Sequence, residues 1–351
     1  MDFILNGQAT GNVAGRLMQS GFNPTVLRPW IGKDGNTYIA VNKDGVLQAQ
    51  MVHNATATLR KDDWIQLDDA IVRAAKPRLQ AVADLRGAGL QYSITNGMGK
   101  TVLETESQSD ISDAEISMDG TRQSKGDRPE FDLTSLPLPI IHKDFQFSAR
   151  QVMASRNGGS PLDTTTAELA SRRVAEQAEK LLLGTASSYA FGGGTIYGYT
   201  NFPDRLTKSD ITSPEASGWT PATTLNEVLA MRQLAHDAYH YGPYFLYFSP
   251  AWDAYLDRDY SSSYPGVTLR SRLAGVFGQA ETRDYLGTGY TILLVQKTAD
   301  VARMVVGMEV TTVQWETMGG MMMNFKVMAI LVPQLRKDFN GNTGIVHGTT
   351  S

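Results

Sequence analysis

The spacing of apolar residues predicts three helices. Residues 64–85 carry one apolar stripe at helical spacing, and Pro77 predicts a kink within it. Residues 163–184 carry the clearest stripe, opposite a charged face, and Gly184 marks their end; we predict a rod about 30 Å long. A third helix is expected from Thr224 to about residue 239. Its first residue stands three before a glutamate, as in a capping box, and Thr165 does the same in the second helix.

Short apolar runs predict strands in the second half of the chain. They are "YFLYF", "YTILLVQ", "VARMVVGMEV", "TTVQWET" and "MMMNFKVMAILV". The last run is almost wholly apolar, which is typical of a strand covered on both faces. After "YFLYF", a helix is predicted to restart with Ser249 as N-cap and Pro250 at its first position.

The first 60 residues have a thin and uneven apolar content. Asp34-Gly35 and Asp44-Gly45 are turn signals between short apolar runs, so hairpins are expected there. Such a segment needs another surface to lie on, and we interpret it as an extended arm.

Residues 91–137 contain few large apolar side chains and many acids. We predict a long hairpin or loop that projects from the body, because nothing in this segment could build its own core. The acids are Glu104, Glu106, Asp110, Asp113, Glu115, Asp119, Asp127, Glu130 and Asp132.

Composition narrows the function classes. The 351 residues are enough for two or three compact units, and a net charge of −4 argues against a protein built to grip nucleic acid or anionic lipid. The chain has no cysteine, which excludes disulfides and thiolate chemistry. Neither a secretory signal nor an apolar run long enough to span a bilayer is evident, so we expect a soluble protein made in the cytoplasm.

The candidate chemistry is a pair of histidines in "HDAYH". His236 and His240 have the spacing of a zinc-protease helix, but the acid between them is Asp237 in place of glutamate. Gly242 and Pro243 would end the helix where the motif should continue, and Arg232 would oppose a bound dication. A metallohydrolase is therefore a remote alternative.

Other catalytic motifs fail. "TNGMGKT" has Ile94 where a phosphate loop requires glycine, and there is no nucleophile elbow. We expect no enzyme activity, no metal and no cofactor. Arms and hairpins that cannot bury themselves imply partners that bury them, which points to a structural protein.

The order of parts resembles the tailed-phage major capsid proteins of the Hong Kong 97 type and the related encapsulin shell proteins. The resemblance is carried by four stretches: "SLPLPIIHKDFQFSARQV", "LDTTTAELASRRVAEQAEKLLLG" with the following "IYGYTNFP", "GPYFLYFSPAWDAYL", and "ARMVVGMEVTTVQWE" with "NFKVMAILVP". It covers residues 136–335, extends to residues 60–135 in layout only, and hardly touches the first 60.

The resemblance implies an α+β, Hong Kong 97-type fold divided as follows: an N-arm at 1–60, a P-domain at 61–90 and 138–222 that includes the spine helix 163–184, an E-loop at 91–137, an A-domain at 223–311, closing P-domain strands at 312–335, and a C-terminal tail at 336–351.

The implied function is self-assembly into pentamers and hexamers of an icosahedral phage head that encloses double-stranded DNA without binding it specifically. The expected location is the virion, and the host cytoplasm during assembly. The expected partners are a separate scaffolding protein, since an arm of 60 residues leaves no room for a built-in one, a portal, and decoration proteins. No membrane is expected.

An encapsulin shell around a cargo enzyme is the nearer alternative; the long arm and the tail favour a virus, because encapsulins are usually more compact. Lys100 and Lys125 lie in the segment where some family members form a crosslink, but neither matches that motif, so no crosslink is expected.

The candidate assembly residues are charged side chains of the E-loop and the spine helix, expected to meet opposite charges on a neighbouring copy. They are Glu104, Glu106, Asp110, Arg122, Arg128, Arg172, Arg173 and Glu176.

Overall fold

The computed structural model describes residues 61–109, 116, 118–119, 128–158, 164–261, 266–318, 321–338 and 340–350, together with five short strands before residue 53. Asp110, Arg122 and Lys125 lie outside the described residues, as do Asp34, Gly35, Asp44 and Gly45.

Seven α-helices occur in the described residues. They are α1 (Lys61–Ala75), α2 (Gln80–Gly87), α3 (Ala149–Gly158), α4 (Thr165–Leu183), α5 (Pro221–Asp237), α6 (Asp253–Leu256) and α7 (Leu269–Phe277). Short 3₁₀ turns lie at Lys76–Arg78, Gly97–Gly99 and Pro250–Trp252.

The strands form two main sheets and three small ones. They are β1 (Ile4–Leu5), β2 (Gln8–Ala9), β3 (Trp30–Ile31), β4 (Thr37–Lys43), β5 (Val46–Val52), β6 (Gln91–Ser93), β7 (Val102–Gln108), β8 (Phe131–Pro137), β9 (Ile141–Ser148), β10 (Tyr189–Phe191), β11 (Gly194–Ile196), β12 (Leu206–Ile211), β13 (Tyr244–Phe248), β14 (Glu281–Thr282), β15 (Thr291–Gln296), β16 (Ala302–Thr317), β17 (Met322–Leu335) and β18 (Ile345–Thr350).

The first main sheet has six strands and carries the long helix. Its order is β2-β1-β16-β17-β9, and β6 pairs in parallel with β16. Helix α4 lies on this sheet with Val174, Ala178 and Leu182 packed toward a cluster in which Phe145 stacks on Phe325 at 5.1 Å between ring centres. The predicted apolar stripe of the long helix is therefore its buried face.

The second main sheet has five strands in the order β12-β18-β15-β13-β14. Strand β13, the run "YFLYF", is buried at every position. One hydrophobic cluster contains residues of both main sheets, including Phe325 of the first and Leu293 of the second, so the two sheets share a continuous core. Within the described residues no helix is long and apolar enough to cross a membrane.

Several predictions about elements are confirmed. Pro77 lies in the 3₁₀ turn between α1 and α2, as the predicted kink requires. Gly184 ends α4 with φ +86°, a backbone conformation that glycine adopts without strain. Strand β17 is buried on both faces from Val327 to Gln334. The hairpin expected at residues 44–45 is present, since Lys43 pairs with Val46.

Both predicted capping boxes are wrong. Helix α5 begins one turn earlier than expected, with Thr220 as the N-cap that accepts from the Thr223 amide. Glu227 instead accepts hydrogen bonds from Thr212. Helix α4 has Thr164 at its N-cap position, and the hydroxyl of this residue bonds to Glu168. Tertiary partners claimed side chains that the local spacing assigned to caps.

Several domain boundaries differ from the predicted ones. The expected tail, 336–351, contains β18, which lies between β12 and β15 in the second sheet. Strand β12, expected in the P-domain, pairs with it. The strands expected at 302–310 and 311–317, assigned to two domains, are the single strand β16 of the first sheet, and residues 91–93, expected in the E-loop, pair with it. These pairings link distant parts of the chain, which local patterns do not report.

Candidate assembly surfaces

The hairpin β7–β8 presents one mixed acidic and apolar face. Residues opposite each other in an antiparallel pair share a face, and the register pairs Gln108 with Phe131, Glu106 with Leu133 and Glu104 with Ser135. Phe131 and Leu133 are 65% and 55% exposed. Both predicted acids therefore lie beside exposed apolar side chains. We call Glu104, Glu106, Phe131 and Leu133 the hairpin face.

The base of the hairpin is anchored in the body. Leu103 and Leu136, on the opposite face, are buried in a cluster with Ile196 and Val305. Gly194 of β11 approaches so closely that a Cβ there would lie 2.0 Å from the Ser135 carbonyl oxygen. Beyond this base an open cleft of about 1210 Å³ lies between the hairpin and a part of the body that includes Lys337. The hairpin thus stands away from its own subunit.

The end of the hairpin continues the exposed apolar character. Ile116 and Met118, between the two strands, are fully exposed, and so are parts of Arg128, the predicted assembly residue at the start of the return. The hydrogen bond from the Ser109 amide to the Glu130 carbonyl extends the pairing past β7 and β8. The sequence analysis missed Phe131 and Leu133, although "FDL" has the alternation of a strand with one apolar face.

The candidate residues of the long helix pair with each other. Arg172 Nε lies 2.8 Å and Arg173 Nη1 2.9 Å from the carboxylate of Glu176, which is buried. Burial acts to raise the pKa of Glu176, but hydrogen bonds from Arg172, Tyr285 and Arg173 outweigh it and lower the pKa. An intersubunit pairing for Glu176 would have to compete with these contacts, whereas the outer faces of both arginines stay partly exposed.

The two histidines do not form the helical pair that a zinc motif requires. Helix α5 ends at Asp237, and Tyr239 has φ +64°, so His240 lies beyond the helix. His240 Nδ1 lies 3.1 Å from Gln296 Oε1, while the His236 ring packs near Tyr241 and Tyr244. In the described part of the chain no three side chains of His, Asp or Glu converge on a possible metal position.

Segments of the first 60 residues add strands at two places. Strand β1 extends the first sheet through pairing of Ile4 with Gln314. Strands β3, β4 and β5 form a small antiparallel sheet of their own.

A family model described as "Family of unknown function (DUF6260)" matches residues 54–348. The type 1 encapsulin shell protein EncA of Myxococcus xanthus is 23% identical over 218 residues, which cover 60% of this chain and 68% of EncA.

Two solved structures share the fold at low sequence identity. The virus-like particle from Pyrococcus furiosus has a TM-score of 0.56 and 18% identity, over 81% of this chain and 98% of that one. The capsid of Myoviridae Phage XM1 has a TM-score of 0.55 and 9% identity, over 72% and 86%. The α+β, Hong Kong 97-type fold expected from the sequence is confirmed.

Proposed function

We propose that this chain, which belongs to the family of unknown function DUF6260, is the major capsid protein of a tailed phage and assembles into the pentamers and hexamers of an icosahedral head. The observation that carries this proposal is the hairpin face, which exposes Phe131 and Leu133 on an element that its own subunit leaves uncovered. We assign this hairpin to the E-loop of the Hong Kong 97-type fold.

A second copy of the chain is the natural cover for such a face. Burial of apolar surface contributes about 25 cal/mol per Å² before the costs of ordering. Many modest contacts made together then stabilise a closed shell. The acids beside the apolar pair would add specificity by meeting basic groups on the neighbour, and the partly exposed Arg172 and Arg173 belong to the candidates for that role.

The proposed partners follow from this function. We propose assembly with a separate scaffolding protein and incorporation of a portal, with double-stranded DNA enclosed and not specifically bound. A net charge of −4 suits such a container, because it does not favour a grip on the packaged phosphates. The site of action is then the virion.

An encapsulin-type shell is the second candidate, and similarity to EncA supports it. The phage proposal is favoured by the first 53 residues, which precede the family match and contain the strands β1 to β5. The tail no longer supports the phage proposal, because β18 is part of a main sheet.

Electron microscopy of the full-length recombinant protein, beside size-exclusion chromatography, tests assembly. We expect closed shells, or rings of five and six subunits, and the shell diameter separates a phage head from a small encapsulin. A monomer at every salt and protein concentration, also with the scaffolding protein of the same virus present, would contradict both candidates.

Reversal of the hairpin acids tests the E-loop assignment. We expect Glu104→Lys/Glu106→Lys to raise the concentration needed for assembly at least tenfold, since like charges brought together at an interface cost several kcal/mol. The effect should weaken in high salt, because the Debye length is about 8 Å at physiological ionic strength and shrinks as salt is added. Static light scattering measures the assembly threshold.

The control is Asp69→Lys/Asp284→Lys, which makes the same charge change at exposed positions on the body. An equal loss of assembly in both double variants would mean that net charge acts, and not the hairpin.

A further inference from the structure

A buried polar cluster holds helix α2 between the two main sheets. Glu179 of α4 is 1% exposed, and its carboxylate accepts hydrogen bonds from the amides of Ala81 at 2.5 Å and Val82 at 3.3 Å. These amides belong to the first turn of α2 and have no partner within the helix. Glu179 therefore caps α2 from a different helix.

The same short helix is held on its other side by the second sheet. Asp84 accepts a hydrogen bond of 2.8 Å from the Tyr247 hydroxyl of β13 and one of 2.5 Å from Arg283. Arg283 also bonds to Glu281 at 2.9 Å and lies over the Tyr247 ring at 4.9 Å. Helix α2 is thus the link through which α4 and the second sheet contact each other by polar groups.

The charges in this cluster do not balance when every acid is ionised. One cation, Arg283, faces three carboxylates, and the buried hydroxyl of Tyr199 has no hydrogen-bond partner among the described residues. The strands beneath α4 present apolar side chains to it, including Phe145 and Phe325. We call the following residues the joint cluster: Asp84, Glu179, Tyr199, Tyr247, Glu281 and Arg283.

The protonation state of Glu179 is the variable part of the joint cluster. Burial raises the pKa of Glu179 to about 7, although the Ala81 and Val82 amides and Arg283 act to lower it and Asp84 adds to the rise. A carboxyl with a raised pKa binds its proton more tightly in the folded state. Its contribution to stability is full below about pH 4.5 and is lost as the pH rises through about 7.

We propose that the joint cluster is a proton-operated joint, in which neutral Glu179 fastens α2 between α4 and the second sheet and ionised Glu179 loosens it. Ionisation places a further negative charge near Asp84, with no additional cation to balance it. The second sheet is then freer to shift against α4. Such a shift is what one chain needs to fit both five-fold and six-fold surroundings, a role that rests on the proposed shell function.

Amide hydrogen exchange between pH 5.5 and 8.5, corrected for the intrinsic rate, tests the joint. We expect the protection of residues 81–85 in the wild type to fall about tenfold or more between pH 5.5 and 7.5 and to level off above pH 8. Glu179→Gln should give a flat profile, because glutamine stays neutral and its amide oxygen still accepts from α2. At pH 8 its protection should equal or exceed that of the wild type.

The matched control is Glu176→Gln, one turn earlier on α4, whose carboxylate pairs with Arg172 and Arg173 outside the joint cluster. It should keep the pH dependence of the wild type in residues 81–85. The same pH dependence in Glu179→Gln would overturn the proposal. So would a flat wild-type profile, which decides the matter even if the Gln variant fails to fold.

Exchange within the subunit can be measured whether or not shells form, so this proposal and the shell function fail separately. If shells form, the pH dependence of the pentamer-to-hexamer ratio should disappear in Glu179→Gln.

Discussion

At the scale of single residues, Arg283 is the cation on which the joint cluster depends. Its side chain is 6% exposed and that of its partner Asp84 17% exposed, so removing one partner leaves a largely buried charge. We expect Arg283→Ala to lower the free energy of unfolding by about 3–5 kcal/mol, the usual cost of breaking a buried pair. Urea denaturation of unassembled subunits measures the change.

Arg270→Ala is the control for this variant. Arg270 also bonds to two carboxylates, those of Asp253 and Asp257, but these are more than half exposed. Solvent screens such pairs, and we expect a loss of about 1 kcal/mol or less. Equal losses in the two variants would mean that burial does not set the value of the Arg283 pair.

The residues of the joint cluster could not be predicted from the sequence as a group. Glu179 stands in "AEQAEKLLL", which is typical of a solvated helix face, and its hydrogen-bond partners are about a hundred positions away. One local signal existed. Glu179 precedes Leu182 and Leu183 by three and four residues, which places it beside the apolar stripe. The end of α5 after His236, in contrast, followed from Gly242 and Pro243, and this prediction is confirmed.

At the scale of elements, the close approach of two backbones fixes β6 and the turn after it against β16. A Cβ on Gly97 would lie 2.2 Å from the Gly307 carbonyl oxygen and 2.4 Å from its carbonyl carbon. Backbone cannot move aside cheaply here, since β16 is paired with β17 on its other edge. We expect Gly97→Ala to lower the midpoint of thermal unfolding by several degrees, equivalent to about 2–3 kcal/mol.

Gly87→Ala at the end of α2 is the matched control, because a Cβ there meets no atom within 4 Å. The substitution should be neutral or stabilising by up to about 1 kcal/mol, since alanine is favoured over glycine in a helix. A Gly97 variant as stable as this control would show that the turn can relax.

Elements with strong local periodicity were predicted well, and those defined by distant pairing were not. Helix α4 and strand β17 carry their burial pattern in consecutive residues, so their type and position followed from spacing. Strand β18 has only six residues and contains a glycine, and its place depends on β12 and β15. The hairpin β7–β8 was predicted, but its apolar pair was hidden among acids and polar residues.

At the scale of the whole molecule, the shared core and the projecting hairpin have opposite consequences. The continuous cluster beneath both sheets makes the body stable alone, whereas the hairpin face contributes little until it meets another copy. Substitutions on this face should therefore separate assembly from folding. Assembly then responds to subunit concentration, because each contact is modest and many are required.

Leu133→Ser tests this separation. The side chain is 55% exposed in the subunit, so the midpoint of thermal unfolding of unassembled protein should stay within about 0.5 kcal/mol of the wild type. Full burial of a leucine is worth about 1.5–3 kcal/mol, and this value is lost at each contact in the shell. We expect the assembly threshold to rise tenfold or more, measured by light scattering across a dilution series.

Val72→Ser is the matched control, since Val72 of α1 is 56% exposed and lies on the body. It should leave both the thermal midpoint and the assembly threshold near their wild-type values. A raised threshold in the Leu133 variant alone locates the intersubunit contact on the hairpin face. If the Val72 variant fails to assemble and the Leu133 variant assembles normally, the contact lies on α1, and the hairpin is not the element that joins the subunits.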